Sequence, residues 1–343
     1  MPIQDLTPGF HTRFPDPLVT IDSHTAGEPT RLVVDGLPSI PGEDMKAKRE
    51  YFQTNLDHLR CLLTREPRGH RDIFAAVLTE PVSEQAAFGL VYMDPRRYPY
   101  LCGHATMGAV TTMLELGGIQ ALGPDVELTV DTPSGPMSAT AAWDGSRVQG
   151  VTIQTVPSFV YRTEEEIYIP QMDTLLVDTV CVGGFFAMVN IDQLDVTLQD
   201  IEPLISLGME IIAQANHQLQ VAHPTRPEVN SVDVVEFYTL DPSNPLAGQS
   251  VVIYGEAHVD RSPCGTGTAA KLTLLHHLGY LKPGQGYTNQ SPTGTTFQAA
   301  IANTTQIGHL PGVEVHIQGA ASITGRHEFV VDPIDPFPQG FLL

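Results

Sequence analysis

The sequence predicts an α+β protein of two pseudo-symmetric lobes, and three observations carry that prediction. At 343 residues the chain exceeds what a single core usually supports. Short β-type runs outnumber helical stretches, and 30 Gly with 28 Pro supply the turns that many short strands need. The segment CGHATMGAVTTMLELGG, from Cys102, recurs in pattern as CGTGTAAKLTLLHHLGY, from Cys264.

Each element follows from local pattern. β-branched and apolar runs predict strands over 18–21, 126–130, 180–189 and 251–254. Phe52, Leu56, Leu59 and Leu63 recur at three- and four-residue spacing and predict one helix over 45–64. A second helix is predicted over 201–215, with Leu204, Ile205, Ile211 and Ile212 as its stripe. Asp200 stands at its cap and Pro203 in its tolerant first turn. The two repeat segments each read as a loop carrying Cys, then a helix of about three turns closed by Gly117 or Gly279. Thr106 matches Thr268, Val110 matches Leu272 and Met113 matches Leu275.

Bulk properties exclude several function classes. Thirty-nine acidic against 18 basic residues give a formal charge of −21, which repels nucleic acid and anionic membrane. A solubilising surface is the plain reading of that charge, and adaptation to high internal salt is the sharper one. Residues 1–17 lack the basic-then-apolar layout of a signal peptide and no run is long enough to span a bilayer, so a cytoplasmic setting is expected. Cys61, Cys102, Cys181 and Cys264 form no CxxC pair, which points away from a disulfide scaffold or a zinc ribbon.

The repeat has chemical consequences. A thiol at a helix N-terminus feels the positive end of the macrodipole and nearby N–H donors, which is expected to lower its pKa towards neutrality. The same N–H groups bind anions. Two such helices facing each other would hold a carboxylate and set one sulfur on either side of the adjacent carbon. One thiolate then removes the Cα proton while the opposite thiol protonates the other face. That scheme needs no cofactor and no metal, but it does need a closing cleft that excludes water.

CGH at Cys102, DRSPCGTGT at 260–268, IDSHTAGEPTR at 21–31 and PRGHRDIFAA at 67–76 resemble, in order, four blocks of the proline racemase family. The resemblance implies a fold similar to diaminopimelate epimerase, each lobe a sheet or barrel wrapped around a central helix, with the site in the cleft between lobes and a homodimer as the assembly. The lobes are expected at 1–160 and 161–329, with a tail of about 330–343 returning to the first. Cys102 and Cys264 are implied as the acid/base pair. The N–H groups of Gly103, His104, Gly265 and Thr266 are implied as the carboxylate cradle, with Asp260 and His104 near the ring nitrogen of a small substrate. Retention of both cysteines favours racemisation or epimerisation of proline or 4-hydroxyproline over dehydration of trans-3-hydroxy-L-proline. Phe74 resembles the aromatic wall of proline racemases, whereas the Tyr254 hydroxyl suits a hydroxylated ring, so the ring substituent stays open. Phe185 stands where the family commonly has Asn.

Plainer roles compete at each position. Free cysteines are usually small buried hydrophobes, the expectation for Cys61 and Cys181. His104 and Asp260 could merely cap a loop, His24 and Glu28 could fix a turn, and His70 is undecided. His276 and His277 suit a helix C-terminus. A cysteine nucleophile activated by His is the competing enzyme class, but leaves the second thiol unexplained. A small-anion binding module or thiol redox sensor is the non-enzymatic alternative.

Overall fold

The computed structural model describes residues 6–170 and 172–342. The first five residues of the segment read for a leader lie outside the described residues; a short helix, α1 (Thr7–Arg13), follows. Then come β1 (Leu18–Thr25), β2 (Glu28–Asp35), α2 (Met45–Asn55), α3 (Asp57–Thr64), β3 (Ala75–Thr79), β4 (Phe88–Met93), α4 (Gly103–Glu115), β5 (Asp125–Thr132), β6 (Gly135–Trp143) and β7 (Val148–Gln154). The chain continues through β8 (Ser158–Ile169), β9 (Asp173–Val182), β10 (Gly184–Asn190), α5 (Ile201–Gln218), β11 (Val232–Tyr238), β12 (Ala247–Tyr254), β13 (His258–Val259) and α6 (Gly265–His277). It ends with β14 (Gly286–Gln290), β15 (Thr296–Ile307), β16 (Leu310–Gly319) and β17 (Ala321–Phe329).

The repeat extends far beyond the two cysteine helices. In the first half β1 and β2 form a hairpin, β3 returns parallel to β2, β4 runs antiparallel to β3, and after α4 comes β5, parallel to β4 and followed by β6 and β7. In the second half β9, β10, β11, β12, α6, β14, β15 and β16 repeat that order and those directions. β17 pairs with β1 as β8 pairs with β9. Strands therefore wrap α4 in the order β17, β1 through β7. A second wrap around α6 runs β8 through β12, then β14, β15 and β16, which closes back onto β8. β16 also pairs with β7 and fuses the two wraps.

The central helices obey the burial their sequences impose. Every residue of α4 from His104 to Thr112 is buried, as is nearly all of α6, so neither helix has a polar face to give to solvent. The matched Val110 and Leu272 are fully buried, each stabilising the fold by about 2 kcal/mol. Both helices end as predicted, with Gly117 and Gly279 at φ +77° and +83°, conformations that glycine reaches without a Cβ penalty. The tail beyond β17 lies on the first wrap, where Arg68 bonds Val330 and Asp335 and Glu66 pairs with Phe341. Among the described residues no helix is long and apolar enough to cross a membrane.

Three element predictions need correction. The stripe over 45–64 belongs to two helices broken at Leu56, whose φ of −124° leaves the helical region; both flanks keep their apolar face because α2 and α3 pack on one core. The run over 180–189 is two strands turning through Gly183, at φ +74°; a continuous β-branched run hides a hairpin when both strands are buried. The second helix extends to Gln218, and Asp200 does not cap it: the carboxylate accepts from Thr197 N and Oγ1 instead, at 2.8 Å each. Phe185, the departure from the family block, is fully buried edge-on against Phe159 and Tyr161, where Asn would lack a polar partner.

Candidate active site

Cys102 and Cys264 occupy the N-cap positions of α4 and α6, and the two helix N-termini meet nearly backbone to backbone. A Cβ placed on Gly265 would lie 4.0 Å from the Gly103 Cα. The repeat's threonines tie down each helix start, Thr106 Oγ1 donating to Cys102 O at 2.7 Å and Thr268 Oγ1 to Pro263 O at 3.0 Å. The two caps differ in conformation. Cys102 is extended (φ −153°, ψ 114°), whereas Cys264 sits at φ +56°, ψ 118°, an arrangement that costs about 1–3 kcal/mol for a non-glycine residue.

Both thiols open into one cavity of about 150 Å³, roughly the volume of five waters and suited to a single amino acid. Phe74, Cys102, Gly103 and His104 line it from the first half. Tyr254, Asp260, Cys264, Gly265 and Thr266 line it from the second, so all nine residues singled out from sequence converge here. A larger open depression, about 550 Å³, is lined by residues such as Ala86, Glu127 and Thr140 and offers neither thiol nor imidazole.

The cavity is a buried, negatively biased site. Burial pushes both thiols well above the ordinary cysteine value, and the Asp260 carboxylate adds to that push at each sulfur. The N–H groups of Ala105 and His104 pull Cys102 back, and the Thr266 hydroxyl and Gly267 N–H do so for Cys264, without offsetting burial. The expectation of thiols lowered towards neutrality is therefore overturned: desolvation outweighs the helix termini. The Cys102 sulfur lies 3.2 Å from His104 Nδ1, and burial takes that imidazole down to about 4, which leaves it neutral at physiological pH. Burial, and then Glu28, raise the Asp260 carboxyl. Asp260 Oδ1 accepts from Ser262 N and Oγ at 2.9 and 2.7 Å, and among the described residues Oδ2 accepts no hydrogen bond.

A charged cluster beside the cavity joins the two halves. The fully buried Glu28, in the β1–β2 hairpin, takes Arg261 Nε and Nη2 at 2.8 Å each, Arg261 N at 2.8 Å and His258 Nε2 at 3.3 Å. Glu28 is thus a clasp between halves rather than a local turn device, while His24 does fix its turn, accepting from Gly27 N at 3.2 Å. His70 likewise accepts from Asp72 N, and His276 Nδ1 lies 2.9 Å from Leu281 O. Cys61 and Cys181 are buried away from the cavity, Cys181 pushed up to about 12 by burial. Phe186, Val234, Val252 and Arg97 also line the cavity and were not anticipated. Only the parallel return of β11 beside β10 brings Phe186 and Val234 there, a pairing no short-range pattern announces.

The proline racemase family profile matches residues 20–342. A proline racemase of Acetoanaerobium sticklandii is 39% identical over 96% of this chain and 99% of that protein. A trans-3-hydroxy-L-proline dehydratase of Burkholderia ambifaria is 34% identical over 95% and 98%. Among solved structures, a hydroxyproline epimerase from Agrobacterium vitis with bound trans-4-hydroxy-L-proline superposes with a TM-score of 0.87 at 28% identity, covering 96% of each chain.

Proposed function

The chain belongs to the proline racemase family, and from that premise we propose that it inverts Cα of proline by passing protons through Cys102 and Cys264. One observation carries the reading: two thiols enter one amino-acid-sized cavity from opposed helix N-termini. The substrate carboxylate sits between the N–H groups of Gly103, His104, Gly265 and Thr266. Its ring ammonium lies beside Asp260 and His104, and that positive charge offsets the carboxylate that raises both thiols, so the substrate itself brings a thiolate within reach. The thiolate takes the Cα proton, the opposite thiol protonates the other face, and the two cysteines exchange protonation states. No cofactor takes part in this scheme. Water exclusion and N–H donors aimed at the carboxylate stabilise the negative charge that develops between the two transfers.

The apolar wall of Phe74, Phe186, Val234 and Val252 favours an unsubstituted ring. A 4-hydroxyproline substrate is the second reading, favoured by Tyr254, whose hydroxyl-bearing ring lines the same cavity. A homodimer in the cytoplasm, with no nucleic-acid or membrane partner, belongs to the same proposal; sedimentation velocity reads the dimer directly.

The test is incubation in D2O with L-proline, trans-4-hydroxy-L-proline and trans-3-hydroxy-L-proline in turn, followed by proton NMR. Deuterium entering Cα with the opposite stereoisomer is expected for proline. Loss of the 3-hydroxyl would make the protein a dehydratase, and no exchange with any of the three would overturn the reading.

A further inference from the structure

Behind Cys264 lies a buried charged pair that the proton-transfer scheme does not use. Glu236, on β11, has no solvent exposure, and neither carboxylate oxygen has a hydrogen-bond partner of normal geometry among the described residues. The carboxylate presses against the first turn of α6: a Cβ on Gly267 would fall 2.8 Å from Glu236 Oε2, and the Gly267 N–H is the one that hydrogen-bonds the Cys264 sulfur at 3.4 Å. Lys271, one turn further along α6 and equally buried, donates to Gln249 O at 2.9 Å and approaches Asn289 Oδ1 at 3.4 Å. It lies beyond ion-pair distance of Glu236 but is the nearest compensating charge. A buried carboxylate without hydrogen bonds is costly, so its placement calls for a reason.

At the equivalent places the first half carries no charge. Laying Cys102 over Cys264 puts Ala109 at the place of Lys271. Tyr92 and Tyr254 each lie ten residues before their cysteine, and the strand registers Ala76↔Tyr92 and Val234↔Tyr254 then put Leu78 at the place of Glu236. One thiol is thus backed by a charged pair, its counterpart by Leu and Ala.

We propose that Glu236 is a positioning residue that makes the two thiols unequal, so that Cys102 gives up its proton more readily than Cys264. The surroundings of both sulfurs bear on this. Cys264 faces Asp260 from the preceding loop, Tyr254 from β12, Thr266 on its own helix and Glu236 from β11. Cys102 faces Asp260 and Tyr254 as well, together with Tyr92 from β4, His104 at 3.2 Å, and a Glu28 already neutralised by Arg261. Glu236 itself faces Lys271, Asp260, the Ser250 hydroxyl, which approaches it without hydrogen-bond geometry, and the Tyr238 and Tyr287 phenols. Asp260 and Tyr254 face both sulfurs, so the groups that distinguish the two surroundings are others. These are a carboxylate without hydrogen bonds behind Cys264 and an imidazole beside Cys102. Burial raises the Glu236 carboxyl and Lys271 offsets part of that rise, so the bias comes into force as the carboxylate ionises with rising pH.

The inference rests on the two-thiol reading, but its test uses no substrate, so its outcome stands whatever the exchange assay returns. The full-length protein is treated with iodoacetamide from pH 6 to 10 and the modification of each cysteine is followed by peptide mass spectrometry. In the wild type Cys102 should react with a midpoint about one pH unit or more below that of Cys264. Glu236→Gln should raise the Cys264 rate at pH 8 about tenfold and leave Cys102 within about twofold. The double variant Glu236→Leu, Lys271→Ala copies the first half at these two places and should narrow the gap between the two midpoints. Coincident midpoints in the wild type, or an unchanged Cys264 rate in the folded variants, would overturn the proposal.

Discussion

Glu28 and Arg261, 233 positions apart in sequence, form a bidentate ion pair at 2.8 Å on both arms, and it is the carboxylate with no solvent exposure at all that belongs to the first half of the chain. The pair fixes the DRSPCG loop, and with it the Cys264 cap, against the hairpin that carries Glu28. Removing Glu28 takes the bidentate partner from a guanidinium that is 28% exposed and keeps the Asp72 carbonyl at 2.7 Å, and it leaves His258 and the Arg261 N–H without this acceptor. Glu28→Ala should therefore cost about 1–3 kcal/mol of unfolding free energy, read from urea midpoints. A loss below about 1 kcal/mol would mean that the clasp is as solvent-screened as a surface pair.

Each thiol has a separate job in the two-base scheme, so neither can substitute for the other. Cys102→Ser and Cys264→Ser should each lower inversion of proline by about 10²–10⁴-fold, the usual contribution of a positioned acid or base. Polarimetry of either variant settles the matter, and near-wild-type turnover in one of them would remove the paired roles.

Cys102 and Cys264 were visible in the sequence because a whole constellation repeats, from the Cys-Gly start to the glycine C-cap, and local chemistry writes both ends of such a helix. The break at Leu56 and the turn at Gly183 were not, since an apolar stripe continues through both. The central position of α4 and α6 follows from apolar residues on every side, whereas β17 pairing with β1 depends on a strand some 300 residues away. The Glu28 clasp and the Glu236–Lys271 pair were equally hidden, because partners in space share no spacing in sequence. The thiol pKa was misjudged for a related reason: helix position is local, but burial and the Asp260 charge are products of the assembled cavity.

Acid stability should expose two buried groups working against each other. An unfolded chain protonates His104 near 6.5, whereas the folded protein keeps it neutral down to about 4. The unfolded state thus binds more protons between those values, and His104 makes stability rise with pH across that window, by of order 3 kcal/mol. Glu236 runs the other way. The folded carboxyl holds its proton to about 7 while the unfolded one releases it near 4.5, so Glu236 makes stability fall as pH rises. Urea midpoints from pH 4.5 to 6.5 should therefore tilt downward with rising pH in His104→Gln and upward in Glu236→Gln, relative to the wild type. Parallel profiles in all three proteins would contradict both assignments.

The ring wall offers a last prediction, about substrate choice. Phe74 is buried edge-on against His104, with ring centroids 4.9 Å apart and planes at 73°, and it lines the same cavity as Tyr254. Shortening it to Val removes volume from that wall without touching either thiol or the N–H cradle. A hydroxyl on the ring would then find room, and the Tyr254 hydroxyl would gain a partner within the cavity. Phe74→Val should raise the ratio of kcat/KM for 4-hydroxyproline over proline by about tenfold, the scale on which a hydrophobic pocket discriminates small groups. The loss should fall on proline as a higher KM with kcat less affected, because packing against the ring is made in ground and transition states alike. An unchanged ratio would shift the discrimination to Phe186 and Val234 on the second half's side of the cavity.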